Sequence, residues 1–134
     1  MRTVDVNVLT QNIREMCIEA NHFLSPDMKK AFTMAKQQEK APLGRQILLQ
    51  LQQNMEIAAQ DMIPICQDTG MAVVFLEVGQ DVHLVGGNVE DAVNEGVRQG
   101  YADGYLRKSV VKDPIYRENT KDNTPAIIHY SIVP

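Results

Sequence analysis

The sequence predicts an α+β fold, with a helical layer over residues 1–60 and a mixed strand and helix region over residues 61–134 that carries the chemistry. Three observations predict it. Apolar residues recur at helical spacing through the first sixty positions. The period changes at residues 71–78, where MAVVFLEV is a nearly continuous apolar, β-branched run. A polar stretch bounded by two prolines at residues 113–125 then precedes a final alternating segment.

The elements follow in chain order. Val6, Leu9, Ile13, Met16, Cys17 and Ala20 place one amphipathic helix over roughly residues 5–22. Ser25-Pro26-Asp27 supplies an N-cap and a proline at the first helical position. The helix it opens is expected to bury Ala31, Phe32 and Ala35 and to display Lys29, Lys30, Lys36 and Gln37. Ala41-Pro42-Leu43-Gly44 breaks that pattern or begins the next helix, whose stripe is Ile47, Leu48, Leu51, Met55 and Ala58. The methionines of this half read as adaptable core packing.

In the second half, residues 71–78 are expected to form a strand buried on both faces. Gly79-Gln80-Asp81 reads as a turn and residues 82–85 as a short paired strand. Asn88 is placed to cap a helix over residues 89–104, with Glu90 and Asp91 at its positive end and Ala92, Val93 and Val97 facing inward. Residues 109–111 read as extended, residues 113–125 as a shaped loop, and residues 126–133 as a strand with Ile128, Tyr130 and Ile132 on one face.

The 134 residues suit one domain with a real core. The net charge of −4 leaves no basic footprint for nucleic acid or an anionic membrane surface. No stretch approaches the ~20 apolar residues that span a bilayer. The amino terminus, MRTVDVNVLT, lacks a signal-peptide pattern, so a cytoplasmic protein is expected. Its two cysteines, Cys17 and Cys66, are too few for a disulfide framework or a four-thiolate metal site.

Chemistry concentrates in Pro64-Ile65-Cys66-Gln67-Asp68-Thr69-Gly70, between a helix and a strand. A loop of this composition can present a soft thiolate beside an amide, a carboxylate and a hydroxyl. On spacing alone the same residues favour a cysteine buried as a small hydrophobe beside an Asx-type turn. Arg107 offers a planar fork for carboxylates, or simply a cation placed after a helix carboxyl end. The run from Arg117 to Pro125 can organise polar groups around a site or serve as a solvated loop. Gly86-Gly87-Asn88 opens a helix without the Lys-Ser/Thr of a nucleotide loop. His129 reads as a structural histidine.

Three segments together resemble one family: ICQDTGMAVVFLEVGQ, AVNEGVRQGYADGYLRKSVV and DPIYRENTKDNTPAIIHYSIVP. In this order they are similar to the amino-terminal part of the alpha-type catalytic domain of class I, iron–sulfur-dependent fumarases and L-tartrate dehydratases. The resemblance implies a hydro-lyase acting reversibly on a small dicarboxylate, such as fumarate and L-malate, with a [4Fe–4S] cluster held by three cysteines. Its open iron acts as a Lewis acid.

By the same resemblance Cys66 is a cluster ligand, and Gln67 and Asp68 contact substrate, with Asp68 also handling the hydroxyl proton. Arg107 pairs with a substrate carboxylate, while Thr69, Asn119, Asp122, Asn123 and Thr124 support the site. The implied partners are the dicarboxylate and a beta-type subunit or fused domain, in an oligomer. Family chains are longer and carry two further ligand cysteines, so this chain is expected to be a fragment or one part of the enzyme, inactive alone.

A reading from another class remains: a non-catalytic interaction or regulatory module that keeps the family fold. A mononuclear metal site from Cys66, His83 and His129 matches no standard ligand spacing.

Overall fold

The protein is described here from a computed structural model, which covers residues 2–66 and 70–134. Its order of elements is β1 (Arg2–Asp5), α1 (Val6–His22), α2 (Pro26–Gln38), α3 (Pro42–Asp61), β2 (Val73–Gly79), β3 (Val82–Val85), α4 (Val89–Asp103) and β4 (Ile127–Val133). This is an α+β arrangement, with a helical region followed by mixed elements. The chain forms two compact units, one from Met1–Ile18 with Asp68–Pro134 and one from Glu19–Gln67.

The first unit is built around α4. Asn88 caps it as its residue type suggests, its Oδ1 accepting the backbone N–H groups of Glu90 and Asp91. Val93, Val97 and Tyr101 follow at four-residue intervals and are buried with Ile13 and Leu106. Ala72, Val74, Leu76, Ala126 and Ile128, from β2, β4 and the residues leading into them, pack against this cluster.

β2 and β4 pair in parallel, with Val73 opposite Ile127 and Phe75 opposite His129. Gln80 N–H to Val133 O (2.8 Å) and Ile127 N–H to Ala72 O (2.9 Å) extend the pairing at its two ends. Residues 71–78 are not buried on both faces as expected. Val73, Phe75 and Glu77 are exposed while Val74, Leu76 and Val78 are half-buried, because α4 covers one side of the sheet.

A second difference concerns β1, which the helical pattern of the first residues concealed. Arg2–Asp5 pairs in parallel with Val82–Val85, so β3 does have a partner, but a distant one. Gln80-Asp81 is a turn that makes no hairpin, because β2 and β3 enter different sheets. Residues 109–111 are extended only as far as an isolated bridge between Val111 and Asn119.

α1 lies against α4 at backbone distance. A Cβ built on Gly96 would sit 2.7 Å from the Thr10 carbonyl oxygen, and one on Gly100 would sit 2.7 Å from the Cys17 Cβ and 2.9 Å from the Arg14 carbonyl oxygen. The Thr10 hydroxyl crosses the same seam to donate to Ala92 O at 2.9 Å. Arg14 pairs with Asp103 at 2.6 Å at its far end.

The second unit joins the end of α1 to α2 and α3. Pro26 opens α2 and Pro42 opens α3, each in its first turn. Ser25 makes no side-chain bond to the helix backbone. Its hydroxyl bonds the Asp27 carboxylate instead, and with the Met28 backbone N–H draws that carboxyl below its usual range.

The expected burial of Ala31, Phe32 and Ala35 is not met: α2 has no buried residue, Ala31 is exposed, and Phe32 and Ala35 are half-buried. On α3 only Ala58 of the expected stripe is buried, and Ile47 and Leu51 are exposed. A pair of helices within this unit has one mutual face each and cannot enclose either helix. His22 is buried within this unit, its Nε2 3.2 Å from Met62 O.

Substituting Gly96 by Ala tests the α1–α4 seam. Overpacking of this kind costs about 1–3 kcal/mol, against the roughly 1 kcal/mol that alanine gains over glycine in a helix. A net loss of stability is expected in urea unfolding. A midpoint above that of the parent would show that the helices separate without cost.

Candidate functional site

Cys66 ends the second unit's described residues. It is exposed, which removes the reading of a cysteine buried as a small hydrophobe. Its backbone N–H donates to Asn54 Oδ1 of α3 at 2.9 Å, and the neighbouring Ile65 N–H donates to Asn21 O at 2.8 Å. The backbone there is therefore tied down while the residue itself is exposed. Gln67, Asp68 and Thr69, expected to contact or flank substrate, lie outside the described residues. Cys17 is half-buried in the α1–α4 seam, where burial pushes its thiol up.

In the first unit, Gly70 begins the description again, and its carbonyl accepts from Asn123 Nδ2 at 3.0 Å. Asn123 is fully buried. Its Oδ1 accepts two backbone N–H groups, from Ser109 at 2.7 Å and Val110 at 3.0 Å. Its backbone is left-handed, with φ of 62°, a conformation that asparagine adopts more readily than most residues. Burial raises the Tyr101 phenol, and the charge of Cys17 adds to this, while a side-chain hydrogen bond with Asn123 pulls it the other way.

The neighbours of Asn123 are as fully engaged. Asp122 Oδ1 accepts from the Thr124 backbone N–H (3.0 Å) and from its hydroxyl (2.8 Å), and Oδ2 accepts from Arg98 Nε at 3.1 Å. Arg98 also pairs with Glu95 one turn earlier on α4. Partial burial pushes the Asp122 carboxyl up, but the two Thr124 donors and the Arg98 guanidinium outweigh it and hold the group at about 2.

Arg107 is exposed, and no carboxylate among the described residues pairs with it. The chain reaches it through a tight exit from α4. Gly104 N–H donates to Gly100 O, Tyr105 takes a φ of 54°, and Leu106 N–H donates to Tyr101 O at 3.1 Å as its side chain enters the core. Burying Leu106 leaves the next residue outside.

Residues 113–125 are a loop of defined shape. Asp113 Oδ1 accepts the N–H groups of Ile115 and Tyr116, an Asx turn. Lys112 pairs with Glu118 at 2.6 Å, and Asn119 Nδ2 donates to Lys108 O at 3.0 Å while its Oδ1 accepts from Lys121 N–H. Arg117 and Lys121 are left-handed at φ of 55° and 68°. Such conformations persist where surrounding bonds over-determine them, and they concentrate at functional sites.

The structure thus brings Asn119, Asp122, Asn123 and Thr124 together with Gly70 and the backbone just after Arg107. Arg98, Tyr101 and Asn54 were not singled out from sequence. Tyr101 continues the four-residue spacing of Val93 and Val97, which is a usable signal; the reach of Arg98 to Asp122 and of Asn54 to Cys66 leaves none. His129 stacks on Phe75, with ring centroids 4.9 Å apart, and no group of three potential metal ligands occurs among the described residues. No described helix is long and apolar enough to cross a membrane.

The chain belongs to the fumarate hydratase (Fumerase) family, whose family model matches residues 10–134. It is 33% identical over 110 residues to the putative L(+)-tartrate dehydratase subunit alpha of Methanocaldococcus jannaschii, covering 81% of this chain and 38% of that one. It is 32% identical over 128 residues to the anaerobic class I fumarate hydratase of Escherichia coli K12, covering 93% of this chain and 23% of that one. The aerobic class I enzyme of the same strain is 33% identical over 123 residues, covering 90% of this chain and 22% of that one. The chain therefore spans between about a fifth and two fifths of the length of these relatives.

Asp122 makes acid stability a test of the loop. Its folded pKa is depressed, so its contribution is complete above the unfolded value of about 3.9 and is lost as pH falls through the folded value near 2. Asp122→Asn is expected to lose about 1 kcal/mol near neutral pH, a figure reduced for the exposure of Arg98. The variant's stability should also vary less between pH 4 and pH 2. Urea titrations at several pH values measure both, and parallel acid limbs would show that Asp122 is not so held.

Proposed function

We propose that this chain is part of a hydro-lyase that reversibly adds water across the double bond of a small dicarboxylate, of the fumarate and L-malate kind. The observation that carries the reading is the family match over residues 10–134, which includes both the Cys66–Gly70 segment and the Arg107–Pro125 region. The exposure of Cys66 and of an Arg107 without a carboxylate partner among the described residues supports it.

The reaction withdraws or returns a proton beside a carboxylate, so negative charge builds on the acid group in the transition state and fixed cations are needed there. Arg107 is assigned to one substrate carboxylate, which its planar fork can grip through two hydrogen bonds. Gln67 and Asp68 are assigned to the hydroxyl end, with Asp68 exchanging the hydroxyl proton, and Thr69 flanks them. Asn119, Asp122, Asn123 and Thr124 support these groups. Asp122 is suited to holding the loop rather than to moving a proton, because both of its oxygens are already engaged and its carboxyl is held at about 2.

Cys66 fits one ligand position of a [4Fe–4S] cluster, since its thiol is exposed on an anchored backbone. The described residues alone do not fit a whole cluster, as no three potential ligands come together. When bound, a cluster would supply Lewis acidity toward substrate oxygens. Its two remaining ligands would come from further alpha-type sequence or from another chain, and the base acting at carbon from a beta-type subunit or a fused domain in an oligomer.

Two outcomes test this reading. This chain alone, reconstituted anaerobically with iron and sulfide, is expected to show no fumarate hydration; robust turnover would overturn the assignment to an incomplete part. Substituted for the matched region of the aerobic Escherichia coli enzyme, the chain is expected to sustain hydration. In that hybrid, Cys66→Ser should abolish activity and Arg107→Ala should lower kcat/KM roughly a hundredfold or more. A folded, cluster-loaded hybrid indifferent to both changes would sink the proposal.

A further inference from the structure

Asn123 is a single side chain that meets two separate runs of backbone, and each run adjoins residues assigned to substrate. On one side its Nδ2 donates to the carbonyl of Gly70, the residue directly after Gln67-Asp68-Thr69. On the other its Oδ1 accepts from Ser109 and Val110, the second and third residues after Arg107. We propose that Asn123 is a positioning residue of this site, fixing Gly70 relative to the backbone just after Arg107. This assignment rests on the hydro-lyase reading.

The chemistry of the position is narrow. One group must accept two N–H bonds at one atom and donate a third from another, which a carboxamide does; a carboxylate has no donor, and a hydroxyl has only a single atom for all three. The side chain is fully buried, so every one of these bonds replaces a water that cannot enter. The residue must also hold a φ of 62°, which excludes β-branched replacements. Its own placement is determined from α4, because Arg98 holds Asp122 and Asp122 holds Thr124 on either side of it. The rigid helix thus reaches both loops through one amide.

A dicarboxylate is gripped at two ends, so the separation of the groups that grip it sets which acid fits. Asn123 bears on that separation without touching the reacting atoms. Loosening it is expected to weaken dicarboxylate binding and leave the α1–α4 core intact.

Two variants of the full chain separate this role from a general one in folding. Asn123→Gly keeps the left-handed backbone and removes the three bonds to backbone together with the one to Tyr101. Asn123→Asp keeps the acceptor for Ser109 and Val110 and removes the donor to Gly70. Amide exchange followed by NMR is expected to rise about tenfold or more at Ser109 and Val110 in Asn123→Gly, the effect of losing a hydrogen bond. In Asn123→Asp those two amides should stay protected while the signals of Gly70 and Met71 shift. Val93 and Val97 should be unchanged in both.

Uniformly faster exchange across the unit, or no change at Ser109 and Val110, would overturn the proposal. In the hybrid with the aerobic Escherichia coli enzyme, the KM for fumarate is expected to rise severalfold in both variants relative to the parent hybrid. An equal KM in the parent hybrid and its Asn123→Gly form would also overturn the proposal. A folded, cluster-loaded parent hybrid that does not hydrate fumarate, with the exchange pattern of the chain as expected, would leave Asn123 as the residue positioning these two segments and count against the hydro-lyase reading instead.

Discussion

Two helix backbones in the first unit approach so closely that neither Gly96 nor Gly100 has room for a side chain. That contact places α1 and α4 together and lets Ile13 reach the same buried cluster as Val93, Val97 and Tyr101. The β2–β4 sheet is then seated on α4 through Val74, Leu76 and Ile128. Everything that follows α4 is measured from this platform. Leu106 folds back into the cluster and ends the helix, and Arg98 projects from α4 to hold Asp122.

From there the order passes into irregular backbone. A loop would ordinarily sample many shapes, and ordering it costs about 1–2 kcal/mol per residue. Here the loss is offset by side chains that bond nearby backbone: Asp113 at its own turn, Asn119 to Lys108, Asp122 to Thr124, and Asn123 to three partners. Several residues sit at positive φ as a result. Such a segment suits a site, because it can hold polar groups at fixed places where a helix or strand would commit their backbone partners. The second unit treats Cys66 in the same way, bonding its N–H to Asn54 and leaving the residue exposed.

Membership in the fumarate hydratase family agrees with this division of labour. The regular elements provide support, while the residues assigned to chemistry lie at loop entrances and exits: Cys66 after α3 and Arg107 after α4. The chain's short span relative to its relatives agrees with the presence of one candidate thiolate at the loop and no complete ligand group among the described residues.

What the sequence determined by itself was local. Helical periodicity placed α1 and α4, prolines opened α2 and α3, and Asn88 capped α4, because each depends on neighbours within a turn or two. The CQDTG and DNTPA motifs carried the family, since they are contiguous strings. Tertiary structure decided what depends on distant partners. The pairing of β1 with β3, the one-sided burial of β2 and the sparse burial of α2 turn on which face another element covers. The reach of Asn123 to Gly70, 53 positions away, is likewise invisible to any local pattern. Its residue type states what it can bond, and only the folded chain supplies the carbonyl and the two N–H groups that it does bond.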